Sequence, residues 1–257
     1  MFRLPVTGFE VALRKPTGAE ELLLHEKSNS SAELALELIA RVATRVDGEP
    51  AEWSVLPVPD FEALLLRLRQ ATLGDTVRAD TTCTTSSCGA RVDVSFRIEG
   101  YLEHERPRTP SAVEADAERG WFRLRGEVVR FRLPVVADQL AATQCDRPER
   151  ELMRLCIQPA EIGARLRKRV EVAMASLAPP VSRLLEGQCP ECRAALTVYF
   201  DVQSFVLREL RERVASLYHD VHLLAFHYKW AEETILALPR DRRMCYAEML
   251  RQEGGQA

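Results

Sequence analysis

Apolar and polar positions alternate over residues 6–16 around Gly8, a pattern that predicts a small strand or hairpin ended by the turn at Pro16-Thr17-Gly18. Leu34, Leu38, Ile39 and Val42 then recur at three- and four-residue spacing, the period of one helix face. Ser30 or Ser31 is its expected cap and Asp47-Gly48 its expected end. Past the proline-rich "LPVPD", Leu64, Leu65, Leu68 and Leu73 predict a second helix with Asp60 as its cap.

The period then changes to two. Val92, Val94, Phe96 and Ile98 fall on one side of a predicted strand, and Arg91, Asp93, Ser95 and Arg97 on the other, so one face is buried. "EHERPRTPSAVEADAERG" is polar, rich in proline and charge and without period, which predicts an exposed loop. "WFRLRGEVVRFRLP" alternates on both sides of Gly126-Glu127, a hairpin pattern with Phe122, Leu124, Val129, Phe131 and Leu133 inward.

Helices are predicted over 138–155, 161–177 and 180–185, with turns at Asp146-Arg147-Pro148 and Gln158-Pro159. Leu207, Leu210, Val214, Leu217, Val221 and Leu224 keep a strict three–four alternation, which predicts one long helix with a narrow seam packed on another helix. Short helices over 230–236 and 240–250 follow, and "QEGGQA" is expected to fray.

Together these elements predict an α+β protein, predominantly helical in its C-terminal half, with small β-hairpins. The organisation expected is an N-terminal hairpin and helices (1–80), a first knuckle and hairpin region (81–135), a helical segment (136–187), and a second knuckle with C-terminal helices (188–257).

Composition narrows the classes. With 257 residues and 46% apolar content the chain can bury a sizeable core. A net charge of −3 and a pI near 6.0 argue against a protein whose main task is neutralising phosphates. The N-terminal residues show no basic segment followed by a long apolar run, and no stretch reaches the roughly 18 to 20 apolar residues of a membrane span. A soluble, cytoplasmic protein is therefore expected.

Seven cysteines are present. Cys145, Cys156 and Cys245 stand alone in helical patterns and are expected to be buried thiols, whereas the other four form two close pairs. The pairs belong to a repeat. Laying Cys192 on Cys88 puts Ala194 on Ala90, Val198 on Val94 and Phe200 on Phe96, each pair leading into an alternating strand. Cys83-x4-Cys88 and Cys189-x2-Cys192 have the spacing at which two turns supply four thiolates to one tetrahedral Zn²⁺, so one closed, structural zinc per chain is expected, in a zinc-ribbon-like four-cysteine knot. Two incidental thiols in a loop are the bland alternative for the first pair. A redox dithiol at Cys189-Pro190-Glu191-Cys192 is disfavoured, because a strand and not a helix follows Cys192.

No catalytic pattern is present. His219, His222 and His227 lie close in sequence, but His227 turns away from His222 on a helix and no HExxH arrangement exists. They are expected to be solvated or capping residues. There is no phosphate-cradling glycine loop and no G-x-S-x-G elbow. The acid pairs Glu20-Glu21 and Glu232-Glu233 are expected to be helix-surface charge.

The stretch from Cys189 to Leu250 resembles the C-terminal part of the T4-type phage baseplate hub assembly family, found also beside contractile injection systems. The resemblance rests on the Cys189/Cys192 knuckle, Phe200-Asp201, "HLLAFHY", "WAEETILAL" and the arginines from Arg240 to Arg243. "LPVTGFEVALRKPTGAEELLL", "LGDTVRADTTC" and "FRLPVVADQLAAT" are similar to its earlier segments. Arg193 after the second knuckle and the x4 spacing of the first depart from the family pattern. The resemblance implies a non-enzymatic helper, or chaperone, in building a baseplate hub, with a hub or spike protein as partner and association with a phage-like particle.

The partner surface is expected near Tyr228, Arg240, Arg242 and Arg243, because aromatic and arginine anchors most often dominate interfaces; Phe226 and Trp230 are expected to pack the last helices. The rival reading is a zinc-ribbon nucleic-acid-binding regulator. It requires a basic stripe of Arg91, Arg97, Arg193, Arg123, Arg125, Arg130 and Arg132.

Overall fold

The computed structural model describes residues 1–27, 31–104 and 106–254. Strands β1 (Phe2–Arg3) and β2 (Glu10–Leu13) pair antiparallel, and Gly8 closes the turn between them at φ 71°, a left-handed conformation that suits a residue without Cβ. Helix α1 (Gly18–Glu26) follows, then α2 (Ser31–Val42), which buries Leu34, Leu38, Ile39 and Val42 as its period predicts. Ser31 opens α2, while Ser30 lies outside the described residues. Because α2 runs directly into β3 (Ala43–Arg45), which pairs with β2, the Asp47-Gly48 turn ends a strand and not the helix.

Helix α3 (Val58–Leu73) is the centre of the molecule. Phe61, Leu64, Leu65, Leu66 and Leu68 are all fully buried, and Asp60, Glu62 and Arg69 are enclosed beside them, as a helix surrounded by other elements requires. Its cap is Pro57, not Asp60. Asp60 is instead enclosed, and accepts hydrogen bonds from the Val6 N–H (2.7 Å), the Thr7 N–H (2.8 Å) and the Thr7 hydroxyl (2.6 Å). This carboxylate ties the β1–β2 turn to α3.

Strands β4 (Thr76–Thr82) and β5 (Arg91–Arg97) form an antiparallel ladder from Thr76↔Arg97 to Thr82↔Arg91. Ile98, expected to extend β5, begins the short helix α4 (Ile98–Glu103) and is buried. The polar segment expected to be loop carries β6 (Val113–Ala115), the first strand of a four-stranded antiparallel sheet completed by β7 (Trp121–Leu124), β8 (Arg130–Arg132) and β9 (Ile157–Gln158). Glu105 within that segment lies outside the described residues. The turn predicted at Asp146-Arg147-Pro148 divides the stretch 138–155 into two helices, α5 (Val136–Thr143) and α6 (Pro148–Cys156). Helix α7 (Ala164–Leu177) then covers the sheet and makes a second core with Val113, Phe131, Ile157, Val170 and Met174.

Residues 180–185 are not helical. From Arg183 they belong to β10 (Arg183–Gln188), paired with β11 (Ala195–Phe200). The β11 backbone supplies a complete ladder for these residues, from Arg183↔Phe200 to Gln188↔Ala195, which outweighs a short helix's few internal bonds. The long helix expected next is also two, α8 (Val202–Arg213) and α9 (Leu217–Tyr228). The apolar alternation continues across the break, but its halves serve different cores. Val206, Leu207, Leu210 and Val214 pack into the largest core around α3; Leu224 packs with Ile235, Ala247 and Leu250 of α10 (Glu232–Leu236) and α11 (Arg240–Gly254). One straight helix axis cannot face both. Helix α11 continues through "QEG" to Gly254, and residues 255–257 lie outside the described ones.

Candidate metal centre and partner surface

The two knuckles are built alike. At the end of β4 the Cys83 N–H donates to the Ala90 carbonyl (2.8 Å), and the Cys88 and Gly89 N–H groups donate to the Thr85 carbonyl. At the end of β10 the Cys189 N–H donates to the Ala194 carbonyl (2.9 Å), and the Arg193 N–H to the Cys189 carbonyl. The residue after the second cysteine is left-handed in both, Gly89 at φ 58° and Arg193 at φ 61°. The departure from the family pattern at Arg193 thus falls where a glycine carries no steric cost.

The tips of the two hairpins meet. Cys83 Sγ lies 3.6 Å from Cys192 Sγ, Cys88 Sγ lies 3.8 Å from Cys189 Sγ, and all four sulfurs fall within 4.8 Å of one another. Val92 and Leu196, from β5 and β11, pack beneath them. Four thiols this close cannot all ionise without a cation to share. The Thr85 N–H and hydroxyl draw Cys83 down to about 7, while Cys88 is pushed up to about 12: the Ala90 N–H lowers it, but burial and the neighbouring sulfurs outweigh that. The set can hold one metal ion. It is the single cluster of metal-ligating side chains among the described residues. Strand β11, not a helix, follows Cys192, so the helix N-terminus that activates a thioredoxin-type dithiol is missing here.

Of the three solitary cysteines only Cys156 is buried, and burial beside Asp138 pushes it up to about 12, making it an inert thiol; Cys145 and Cys245 are exposed, against expectation, Cys145 because it falls in the turn between α5 and α6 and Cys245 because it lies on the solvent side of the last helix. His219, His222 and His227 are exposed, and His222 stacks on Phe226.

Glu20 and Glu21 are not surface charge. Glu20 accepts two bonds from Arg14 and one from the Thr17 N–H, completing a capping box at the start of α1 that Thr17-x-x-Glu20 spells in the sequence. Glu21 is buried by α11, whose Arg243 is fully enclosed and ion-paired to it. Glu232 and Glu233 are exposed as expected. Arg243, expected at the partner surface, is thus a core residue. Arg240 is half-buried, its Nη1 3.5 Å from Glu21, while Arg242 and Tyr228 are exposed. Tyr228 stacks on Trp230 at 4.9 Å, Trp230 meets Tyr246 edge-on at 5.2 Å, and the Arg242 guanidinium lies over Tyr246 at 5.9 Å. Trp230 packs on the last core as expected, whereas Phe226 is 62% exposed.

Six of the seven arginines of the rival reading are paired with carboxylates. Arg91 pairs with Asp80, Arg97 with Asp75, Arg123 with Asp116, Arg125 with Glu114, Arg130 with Glu118 and Arg132 with Asp138. Each positive charge has a carboxylate beside it, so these six do not make a phosphate-neutralising stripe.

The arrangement defines a protein of α+β class, in which four thiols bring together two hairpins distant in sequence. Residues 1–163 match the model of the T4 bacteriophage base plate protein family, and the chain belongs to that family. The match includes the first knuckle and ends before the second. No curated protein and no solved structure matches the chain. No helix among the described residues is long and apolar enough to cross a membrane.

Proposed function

We propose that this chain is a non-enzymatic assembly factor or accessory component of the baseplate hub of a phage-like contractile tail or injection system, held together by one structural Zn²⁺. Family membership carries the reading, and the absence of any catalytic motif in the sequence supports it. Zinc is supported by the sulfur spacing: Zn–S bonds of about 2.3 Å at tetrahedral angles separate sulfurs by about 3.8 Å, close to the 3.6 and 3.8 Å found between the knuckles. Four thiolates leave no open position for water or substrate, so such an ion adds folding energy and does no chemistry.

The partner surface in this reading is the aromatic and arginine face of α9 and α11, with Tyr228 and Arg242 as exposed anchors and Arg240 at its edge. Aromatic residues and arginine dominate the energetics of most interfaces. Co-expression with each hub and spike subunit encoded nearby tests it. At least one subunit is expected to be captured by the wild type and captured at least tenfold less well by Tyr228→Ala with Arg242→Glu. Capture of none by the wild type rejects the assembly role; equal capture by the folded double variant moves the surface elsewhere.

A further inference from the structure

A cavity of about 60 Å³ lies where α1, α8 and α11 meet, several times the roughly 10–15 Å³ that one water requires. Leu24, Leu210 and Val214 give it apolar walls, and Lys15, Arg213 and Arg240 bring positive charge to it. Glu21 and Asp241 are the carboxylates in its lining. Glu21 serves two guanidinium groups at once. Its Oε2 is taken by Arg243 Nη2, and Arg240 Nη1 stands 3.5 Å from Oε1 without forming a hydrogen bond. Arg240 Nη1 is therefore enclosed and has no acceptor, as are Nε and Nη1 of Arg243. Lys15, Arg213 and Arg240 line the space together with Glu21 and Asp241, an excess of one positive charge around hydrocarbon walls.

Enclosed N–H donors on a charged group are costly unless an acceptor reaches them, and the charge balance calls for an anionic one. We propose that the cavity takes a carboxylate, presented by an acidic residue with apolar neighbours in a segment of a partner protein. Arg240 Nη1 is its donor, Lys15 and Arg213 supply the attracting field, and the leucine and valine walls receive the adjoining hydrocarbon. Apolar walls favour a carboxylate on a hydrocarbon stem over a free phosphate, which would lose hydration against them without compensation. The proposal rests on the reading of this end of the molecule as the partner surface and names the chemistry of the partner there.

The full-length, metal-loaded protein, isotopically labelled, is titrated with acetyl-Leu-Glu-Leu-amide, with acetyl-Leu-Gln-Leu-amide and with inorganic phosphate, following the backbone resonances of Lys15, Glu21, Leu24 and Asp241. The acidic peptide is expected to shift them saturably, with the glutamine peptide and phosphate at least tenfold weaker. Arg240→Gln is expected to weaken the acidic peptide about tenfold, and Lys15→Gln, a change at an exposed residue that leaves the fold intact, severalfold. Equal response to both peptides, phosphate binding as tightly as the acidic peptide, or no saturable shift overturns the proposal. A pull-down separates it from the wider reading. If a hub subunit captured by the wild type is captured equally by Arg240→Gln and Lys15→Gln, the cavity is not the contact although the assembly role stands; if the wild type captures nothing, the assembly role fails and the titration alone decides the cavity.

Discussion

Cys83 and Cys192, 109 residues apart in the chain, bring their sulfurs to 3.6 Å, and Cys88 and Cys189 reach 3.8 Å across 101 residues. The close approaches thus run between knuckles. Neither hairpin completes a site by itself.

Metal removal is therefore expected to unfasten two parts of the molecule together. The wild type should carry one zinc per chain by elemental analysis, and Cys189→Ser should carry almost none. Loss of a ligand from a closed site is expected to cost several kcal/mol, read as a large drop in the thermal midpoint. Unchanged metal content and midpoint in Cys189→Ser would sink the zinc assignment.

Arg193 occupies a left-handed position that its counterpart Gly89 fills without a side chain. Arg193→Gly is expected to stabilise the zinc-loaded protein by about 1 kcal/mol, since a left-handed backbone costs a residue with Cβ about that much. In a chain of this size the gain corresponds to roughly 2–4 °C in the thermal midpoint. A loss of stability would show that the arginine side chain contributes more than its backbone strain costs.

Arg69 is almost wholly enclosed between α3 and α8. It donates to both oxygens of Glu209 (2.8 and 3.1 Å), to the Gly74 carbonyl (2.6 Å) and to the Thr76 carbonyl (2.9 Å). Arg69→Ala leaves the Glu209 carboxylate and the two carbonyls at the entry to β4 without their donor. It is expected to cost about 3–5 kcal/mol in denaturant unfolding, the usual penalty for breaking a buried ion pair. A change within about 0.5 kcal/mol would mean that water replaces the guanidinium without loss.

Acid should weaken the fold through Glu20 and Asp138. Burial alone would raise both carboxyls, but Arg14 holds Glu20 below its ordinary 4.5, and Arg132 holds Asp138 below its ordinary 3.8. A depressed carboxyl stabilises the fold above its unfolded pKa, and that share is lost as pH falls through the lower folded value. Glu20→Gln should accordingly lower the thermal midpoint at pH 7, with the difference from wild type shrinking below about pH 4. A difference that is constant from pH 7 to pH 3 would contradict this. Asp60 and Glu62 act in the opposite sense: burial pushes both up, so their share is present at low pH and fades as pH rises through the folded values.

Much of this architecture is written locally. Leu34, Leu38, Ile39 and Val42 announce α2, and the cysteine repeat names the four sulfurs that meet, since turn geometry needs only a few neighbouring residues. What the sequence conceals depends on distant partners. Strand β4 has only Val77 fully buried, so its alternation is faint, and its ladder with β5 supplies the order that its own pattern does not. Asp60 looks like a cap until the β1–β2 turn folds over it. Arg243 looks like surface charge because Glu21, which makes its burial tolerable, is 222 residues away. The break between α8 and α9 is hidden for a similar reason: the spacing of Val214 and Leu217 fits a continuous helix, and only the positions of two separate cores require the bend.

The wide sequence interval between the knuckles also orders events on the ribosome. At roughly 5–20 residues per second, the 101 residues from Cys88 to Cys189 take about 5–20 s to synthesise. During that interval the first pair of thiolates has emerged without its counterpart, and α8, which fills the largest core, has yet to be made. The β6–β9 sheet and its covering helices lie wholly inside the interval and have their own core. The nascent chain therefore reaches a stage at which its middle can pack while the two knuckles on either side of it stay unjoined, and the closing of the clasp comes before α8 completes the largest core.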